Sequence, residues 1–197
     1  MGRLAIVLRG PAAVGKTTVG WVLLSKLGHT KGTIHLDKEW GPGERRSRAG
    51  SERYADLENG EENILLLELA YGEPNLFGPN GSVNLGTSLG ATRNAREWVD
   101  ILKRQGREVI SFVIWDTWER VQERLRSRGE EPAISRALYD LYQRQEWIEF
   151  HTNAGIREVR IDARDKSPIE VASDILSGLV TLGVPLRILS ASLSRPA

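Results

Sequence analysis

The 197-residue sequence contains no cysteine, which excludes disulfide bonds, thiolate zinc sites and cysteine nucleophiles. It also lacks any apolar stretch approaching the ~20 residues that a membrane-spanning helix needs. The formal net charge is only +1, so no overall field draws the chain to nucleic acid or a membrane, although local patches can still do so. The first predicted strand begins at residue 4, which leaves no room for a signal peptide. Together these absences predict a soluble cytoplasmic protein.

A glycine-rich motif stands out near the amino terminus. Residues 10–17 read GPAAVGKT, a complete match to the phosphate-binding template G-x-x-x-x-G-K-[ST]. The motif follows an apolar run at residues 4–8 and precedes helical periodicity at residues 19–27, which is the strand–loop–helix context that it requires. Its glycines let backbone N–H groups wrap a phosphate, and the positive end of the following helix faces the same anion. The motif therefore predicts binding of a nucleoside triphosphate.

Residues of this motif are predicted to have separate roles. Lys16 reaches the outer phosphates, and the Thr17 hydroxyl is placed to ligate the Mg²⁺ that bridges them. The predicted nucleotide-binding residues of this segment are Gly10, Pro11, Ala12, Ala13, Val14, Gly15, Lys16, Thr17 and Thr18.

The rest of the chain alternates apolar runs with helical patterns. Four further strands are predicted at residues 33–36, 64–67, 109–115 and 159–161. Asp116 with Glu119 three residues later predicts the cap of a helix, and Ser167 with Glu170 predicts a second capped start. The loop-like stretch at residues 71–86 is predicted to be a binding loop or lid. This alternation predicts an α/β domain with a parallel sheet and helices on both of its faces.

Acidic residues end two of these strands. Asp37 follows the second strand and Glu68 ends the third. Ligands of parallel sheets bind beyond the carboxyl ends of the strands, so we expect both residues at the same sheet edge as the phosphate loop. Asp37 could equally cap a turn.

Two groups of arginines attract attention. Arg120, Arg124 and Arg128 are four residues apart on one helix face, where like charges repel by ~0.2–0.5 kcal/mol per pair unless an anion sits among them. A solvated face relieved by neighbouring glutamates is the alternative. The second group indicates an anionic ligand or a solvated loop, and it consists of Arg45, Arg46, Arg48 and Arg53.

With these residues in place, the chain resembles the small P-loop kinases, a group that includes shikimate and gluconate kinases, chloramphenicol phosphotransferase and the kinase domain of bacteriophage polynucleotide kinase. The resemblance covers residues 3–183 and rests on the phosphate loop, Asp37, the arginine-rich helix and the ending VRIDARDKSP at residues 159–168. It implies a three-layer P-loop NTPase fold with a five-stranded parallel sheet of order 2-3-1-4-5. It also implies a domain at residues 1–183 with a small helical lid around 120–135, followed by a tail at 184–197.

The same resemblance implies roles and cofactors. Asp37 faces the acceptor hydroxyl as base or orienter, and Glu68 takes the place of an acidic residue that contacts magnesium, or is a plain strand end. Arg124 and Arg128 match lid arginines that clamp phosphates and stack on adenine, and Arg164 joins the nucleotide-binding residues. The implied cofactors are ATP and Mg²⁺. The predicted catalytic residues are Lys16, Asp37, Arg124 and Arg128.

Three functions stay open at this point. The first is a kinase for the hydroxyl of a small, anionic acceptor, with substrate-binding residues Asp37, Arg45, Arg46, Tyr71 and Arg93. The second is a polynucleotide 5′-hydroxyl kinase, which is disfavoured by the near-neutral charge and by Trp40, where that pattern has arginine. The third is a regulatory nucleotide switch, which is disfavoured because the sequence has no N-K-x-D guanine-reading motif.

Overall fold

The computed structural model describes residues 3–27, 34–35, 64–69, 102–130, 132, 136, 139–140 and 156–185. The strands in this part of the chain are β1 (Arg3–Arg9), β2 (Ile34–His35), β3 (Ile64–Leu69), β4 (Arg107–Trp115) and β5 (Arg157–Asp162). The helices bounded there are α1 (Lys16–Lys26), α2 (Trp118–Ser127) and α3 (Pro168–Thr181). None of these helices has the length and apolar character needed to cross a membrane.

The strands form one sheet in the order β2-β3-β1-β4-β5, and every pairing is parallel. The predicted α/β fold with a parallel sheet is therefore confirmed. β1 lies at the centre, with Leu8 in register with Glu68 of β3 and with Phe112 of β4. Since all strands run the same way, their carboxyl ends share one edge of the sheet. The phosphate motif begins at this edge, directly after the central strand.

One face of the sheet is covered by α1 and α3. Every second residue of a strand, such as Ile6 of β1, points to this face because strand side chains alternate between the two faces. The main core cluster joins Ile6 and Phe112 of the strands with Leu23 of α1 and Ile175 of α3, all of them completely buried. At Gly178 of α3, an added Cβ would lie 3.0 Å from the Phe112 ring, so glycine permits the close helix–sheet approach.

The opposite face carries a buried ion pair beside the phosphate motif. Arg9, the last residue of β1, is 1% exposed and donates from Nη1 to Glu158 Oε2 of β5 at 2.6 Å. Ser111 of β4 donates its hydroxyl to the same oxygen at 3.2 Å. A buried charge needs such partners because the interior solvates it poorly. The cluster ties three neighbouring strands together.

Helix starts agree with the sequence in one case and differ in the other. The predicted capping box of α3 is present, since Glu170 N donates to Ser167 Oγ at 3.3 Å and Ser167 N donates to Glu170 Oε2 at 2.7 Å. At α2 the cap is Thr117, whose hydroxyl accepts from Arg120 N at 3.5 Å. The prediction that Asp116 caps this helix is wrong, because its carboxylate is buried among other partners.

Candidate phosphate-binding site

The loop between β1 and α1 has the backbone shape of an anion cradle. Positive φ values occur at Gly10 (143°), Ala13 (59°) and Gly15 (102°), and Gly15 is the N-cap of α1. When residues with positive φ are interspersed with residues of ordinary φ, successive backbone N–H groups turn toward one point and form a concave site for an anion. The first turn of α1 contains no acidic residue, so no carboxylate there competes for the positive helix end.

Gly10 is required by space as well as by conformation. A Cβ at this position would lie 2.4 Å from the carbonyl oxygen of Ile114 in β4. At Gly15, by contrast, an added Cβ has no atom within 4 Å. The loop therefore leaves the central strand in direct contact with the end of its neighbour, and only a glycine fits at that contact.

The Lys16 side chain is hydrogen-bonded to the loop that precedes it. Its side chain is buried, and Nζ donates to the carbonyl oxygens of Gly10 at 3.0 Å and Pro11 at 2.9 Å. These bonds hold a positive charge beside the cradle. Thr17 and Thr18 follow in the first turn of α1 and are exposed. A hydroxyl at the start of this helix can contact a metal ion that is bound to the phosphates.

The structure brings one predicted lid arginine to the loop. Arg124 of α2 donates from Nη1 to the carbonyl oxygens of Ala13 at 3.3 Å and Val14 at 3.4 Å. Its Nη2 also lies 2.8 Å from Asp116 Oδ2. Arg128, the C-cap of α2, is half exposed and lies 4.0 Å from Glu130 Oε1. The two arginines therefore have different surroundings.

A small apolar cluster explains why Arg124 reaches the loop. Ala13 of the loop packs with Val121 and Leu125 of α2 and with Tyr139, and all four are buried. Burial of these side chains fixes α2 against the loop. Arg124 is adjacent to the packed Leu125 in α2. The packing of this helix therefore brings the Arg124 guanidinium within reach of the loop carbonyls. The loop thus has an apolar support as well as a cationic neighbour.

Arg164, predicted to bind the nucleotide, is held by a neighbouring carboxylate. Its Nε lies 3.0 Å from both oxygens of Asp162, and its Nη2 lies 2.6 Å from Oδ2. Hydrogen bonds from the Arg164 side chain, followed by one from its backbone N–H, lower the pKa of Asp162 from its ordinary 3.8 to about 2. This fork orients an exposed guanidinium immediately after β5, at the same sheet edge as the phosphate loop.

Arg164→Ala is expected to raise the pKa of Asp162. The pKa of Asp162 should rise from about 2 toward 3.8, because the side-chain hydrogen bonds from Arg164, the largest cause of the lowering, are lost while the backbone N–H of residue 164 remains. NMR of side-chain carboxyl carbons during an acid titration measures this change. Glu170 is the internal control, since its lowered pKa depends on Ser167 and should stay as it is. An Asp162 signal that does not move would show that Arg164 is not its partner in solution.

Asp116 is a site residue that the sequence interpretation missed. It is completely buried directly after β4, and its Oδ2 lies near both Arg124 (2.8 Å) and Arg120 (3.5 Å). Two signals in the sequence pointed to it. It follows an apolar run in the sequence, as Asp37 and Glu68 do, and it precedes the two arginines by four and eight residues.

The remaining predicted residues belong to other parts of the chain. For Glu68 the backbone alone is described, in β3 opposite Leu8 of β1 and His35 of β2. In the described part of the chain, no three His, Asp or Glu side chains converge as a metal site. Outside the described residues lie Asp37, Arg45, Arg46, Tyr71 and Arg93.

Comparison with known proteins identifies the fold. No protein-family model matches the chain, and no curated protein matches it significantly. Solved structures do match. The YorR protein from Bacillus subtilis, in complex with phosphorylated GDP, is 21% identical with a TM-score of 0.57, and the match covers 91% of this chain and 96% of that one.

Two further solved structures are similar to the chain over most of its length. Shikimate kinase from Acinetobacter baumannii, in complex with shikimate, is 16% identical with a TM-score of 0.53, covering 93% of this chain and 96% of that chain. The tunicamycin resistance protein of Deinococcus radiodurans is 18% identical with a TM-score of 0.53, covering 93% and 97%. Structural similarity at such low sequence identity establishes the fold alone. The chain has the fold of a small P-loop kinase.

Proposed function

We propose that the protein is an ATP-dependent phosphotransferase that moves the γ-phosphoryl group to a hydroxyl of a small acceptor. The observation that supports this best is the position of Arg124, which bonds to carbonyls of the same phosphate loop that the buried Lys16 contacts. Phosphoryl transfer spreads negative charge over the moving group, and two cations at one loop can stabilise that charge. Nucleotide binding alone would need only the loop and Lys16.

Each residue has a role in this reaction. The loop N–H groups and Lys16 hold the phosphates, and Thr17 contributes a hydroxyl to Mg²⁺, with Glu68 as a further contact. Held there, Mg²⁺ would supply positive charge that offsets the charge of the nucleotide phosphates. Asp37 accepts the proton of the acceptor hydroxyl, and the oxygen of that hydroxyl forms a bond to the γ-phosphorus. The bond between that phosphorus and the bridging oxygen breaks, and ADP leaves.

The proposed acceptor is a small anionic molecule. Two of the similar structures hold small ligands, shikimate in one and phosphorylated GDP in the other, and both ligands carry negative charge. Arg45 and Arg46 follow Asp37 in the sequence and would pair with such an anion. Tyr71 and Arg93 complete the proposed acceptor-binding set.

An acceptor panel tests the proposal directly. Purified protein is incubated with γ-labelled ATP and Mg²⁺, together with hydroxy acids, nucleosides, nucleoside monophosphates or 5′-hydroxyl oligonucleotides of DNA and RNA, at low and high salt. Label is expected on a small acceptor, with a shallow dependence on salt.

The other outcomes would contradict the proposal in different ways. Label on oligonucleotides that disappears at high salt would instead identify a polynucleotide kinase, because phosphate contacts weaken steeply with salt. Slow ATP hydrolysis with no labelled acceptor would favour a regulatory nucleotide switch. Lys16→Ala protein is the negative control for a contaminating kinase.

A further inference from the structure

We propose that Asp116 is a positioning residue for the nucleotide site: its buried carboxylate keeps Arg124 beside the phosphate loop before the nucleotide arrives. The inference rests on the proposed function, since it assigns Arg124 to nucleotide phosphates. It goes further by naming the residue that makes Arg124 available to them.

Asp116 is hydrogen-bonded through its carboxylate and through its backbone. Oδ1 accepts a hydrogen bond from the backbone N–H of Thr117 at 2.8 Å. The backbone carbonyl of Asp116 accepts another from the Tyr139 hydroxyl at 2.9 Å. The residue is completely buried, so its negative charge depends on protein partners for stabilisation. With Oδ1 held by the Thr117 N–H, the carboxylate can serve as a fixed anchor for a cation.

That anchor serves two arginines of α2. Oδ2 lies 2.8 Å from Arg124 Nη2 and 3.5 Å from Arg120 Nε. Arg120 also donates to Asp165 Oδ1 at 2.9 Å, in the loop that follows β5. Two guanidinium groups four residues apart would otherwise repel each other. Asp116 is the anion between them, and it allows both to lie at the carboxyl edge of the sheet.

The way in which Arg124 is held leaves it able to bind an anion. Its contact with Asp116 Oδ2 is short but lies outside hydrogen-bond geometry. Its Nη1 bonds to the carbonyls of Ala13 and Val14 are long, at 3.3 and 3.4 Å. Charge-assisted bonds to phosphate are about 2.7–2.9 Å and roughly twice as strong as neutral ones. A phosphate can therefore replace the carbonyls while the ion pair with Asp116 persists.

Arg164 provides the contrast within the same protein. Both Nε and Nη2 of Arg164 point at the oxygens of Asp162, so the carboxylate engages two edges of the guanidinium. Asp116 Oδ2 lies 2.8 Å from Arg124 Nη2, outside hydrogen-bond geometry. The Arg124 side chain is also about one third exposed, which gives a ligand access to it. The ion pair with Asp116 reduces the freedom that Arg124 must lose on binding, and this preorganisation favours affinity.

A double-mutant cycle on Asp116 and Arg124 tests the inference. Asp116→Asn keeps an oxygen for the Thr117 N–H but removes the charge. The affinity for Mg²⁺–ATP is measured by calorimetry for the unsubstituted protein, Asp116→Asn, Arg124→Ala and the double variant. Each single variant is expected to lose affinity by about tenfold or more, as for loss of one charged hydrogen bond. The double variant should lose no more than Arg124→Ala alone.

A control separates positioning from general damage. Tyr139→Phe removes the bond to the Asp116 backbone and keeps the carboxylate, so its ATP affinity should stay close to that of the unsubstituted protein. Thermal unfolding is recorded for every variant. If Asp116→Asn does not fold, Asp116→Glu, which keeps the charge and displaces it by one methylene, takes its place in the cycle.

The outcomes test the positioning role of Asp116 separately from the proposed phosphotransferase function. A double variant that binds Mg²⁺–ATP as well as Arg124→Ala does supports the positioning role. If Asp116→Asn keeps normal affinity, or lowers affinity equally in the Arg124→Ala background, the positioning role is wrong although the proposed function stands. If the unsubstituted protein itself does not bind ATP, the proposed function is wrong and the inference fails with it.

Discussion

Lys16→Ala should lower the rate of phosphoryl transfer by at least a hundredfold, corresponding to about 3 kcal/mol of transition-state stabilisation. The reason is that Lys16 supplies a fixed positive charge at the loop, held there by the carbonyls of Gly10 and Pro11. Once the acceptor is known, steady-state transfer of label from ATP measures the effect. The free energy of unfolding should change by only about 1 kcal/mol, as for loss of ordinary hydrogen bonds.

The matched control for this experiment lies at the other end of the same helix. Lys26 is exposed in the last turn of α1, so Lys26→Ala removes the same charge without touching the loop. Its transfer rate should equal that of the unsubstituted protein. Equal rates for Lys16→Ala and the unsubstituted protein would contradict the assigned role of the loop. A large loss of stability in Lys16→Ala would mean that the lysine acts mainly on folding.

Gly10→Ala is expected to destabilise the protein by about 3 kcal/mol or more, because it combines a strained backbone with an overlap. The φ of 143° at this position is one that side-chain-bearing residues rarely adopt, and the new Cβ would lie 2.4 Å from the Ile114 carbonyl oxygen. That oxygen belongs to backbone in β4, which cannot give way as a flexible side chain would. Urea denaturation measures the loss.

Gly15→Ala distinguishes the two causes. Its φ of 102° imposes backbone strain, but nothing lies within 4 Å of the added Cβ. Its cost should therefore be the strain alone, about 1–3 kcal/mol and clearly less than that of Gly10→Ala. If both variants lose the same stability, close approach to β4 is not what requires glycine at residue 10.

The parts of the fold that the sequence predicted well are those with local causes. The loop is defined by its glycines and Lys16, and β1 and β4 are apolar runs buried on both faces, as parallel strands usually are. The start of α3 depends on Ser167 and Glu170, which lie within one turn of each other. In each case the interacting residues are close in the sequence, so a pattern is sufficient.

The site was predicted less completely, because its contacts join distant parts of the chain. Arg124 bonds to Ala13, which is 111 residues away, and only the packing of α2 against the loop brings them together. The sequence indicated a cationic helix face that would need an anion, and a ligand was the natural candidate. The structure places a protein carboxylate, Asp116, between Arg120 and Arg124.

Arg164 shows a different limit of sequence interpretation. Its partner Asp162 is only two residues away, yet the motif suggested a ligand contact and not this fork. Neither assignment excludes the other, because a guanidinium oriented by a carboxylate keeps an exposed face. The resemblance identified the residue, but side-chain geometry was needed to find what holds it.

The buried pair of Arg9 and Glu158 has a consequence for strand register. Slipping β1 by one residue would turn Arg9 to the opposite face, against the apolar surfaces of α1 and α3. The charge would then lose Glu158 and meet only hydrocarbon, at a cost of several kcal/mol. Since Gly10 follows Arg9 directly, the same pair determines the point at which the chain leaves the sheet. An ion pair on one face thus sets where the phosphate loop begins.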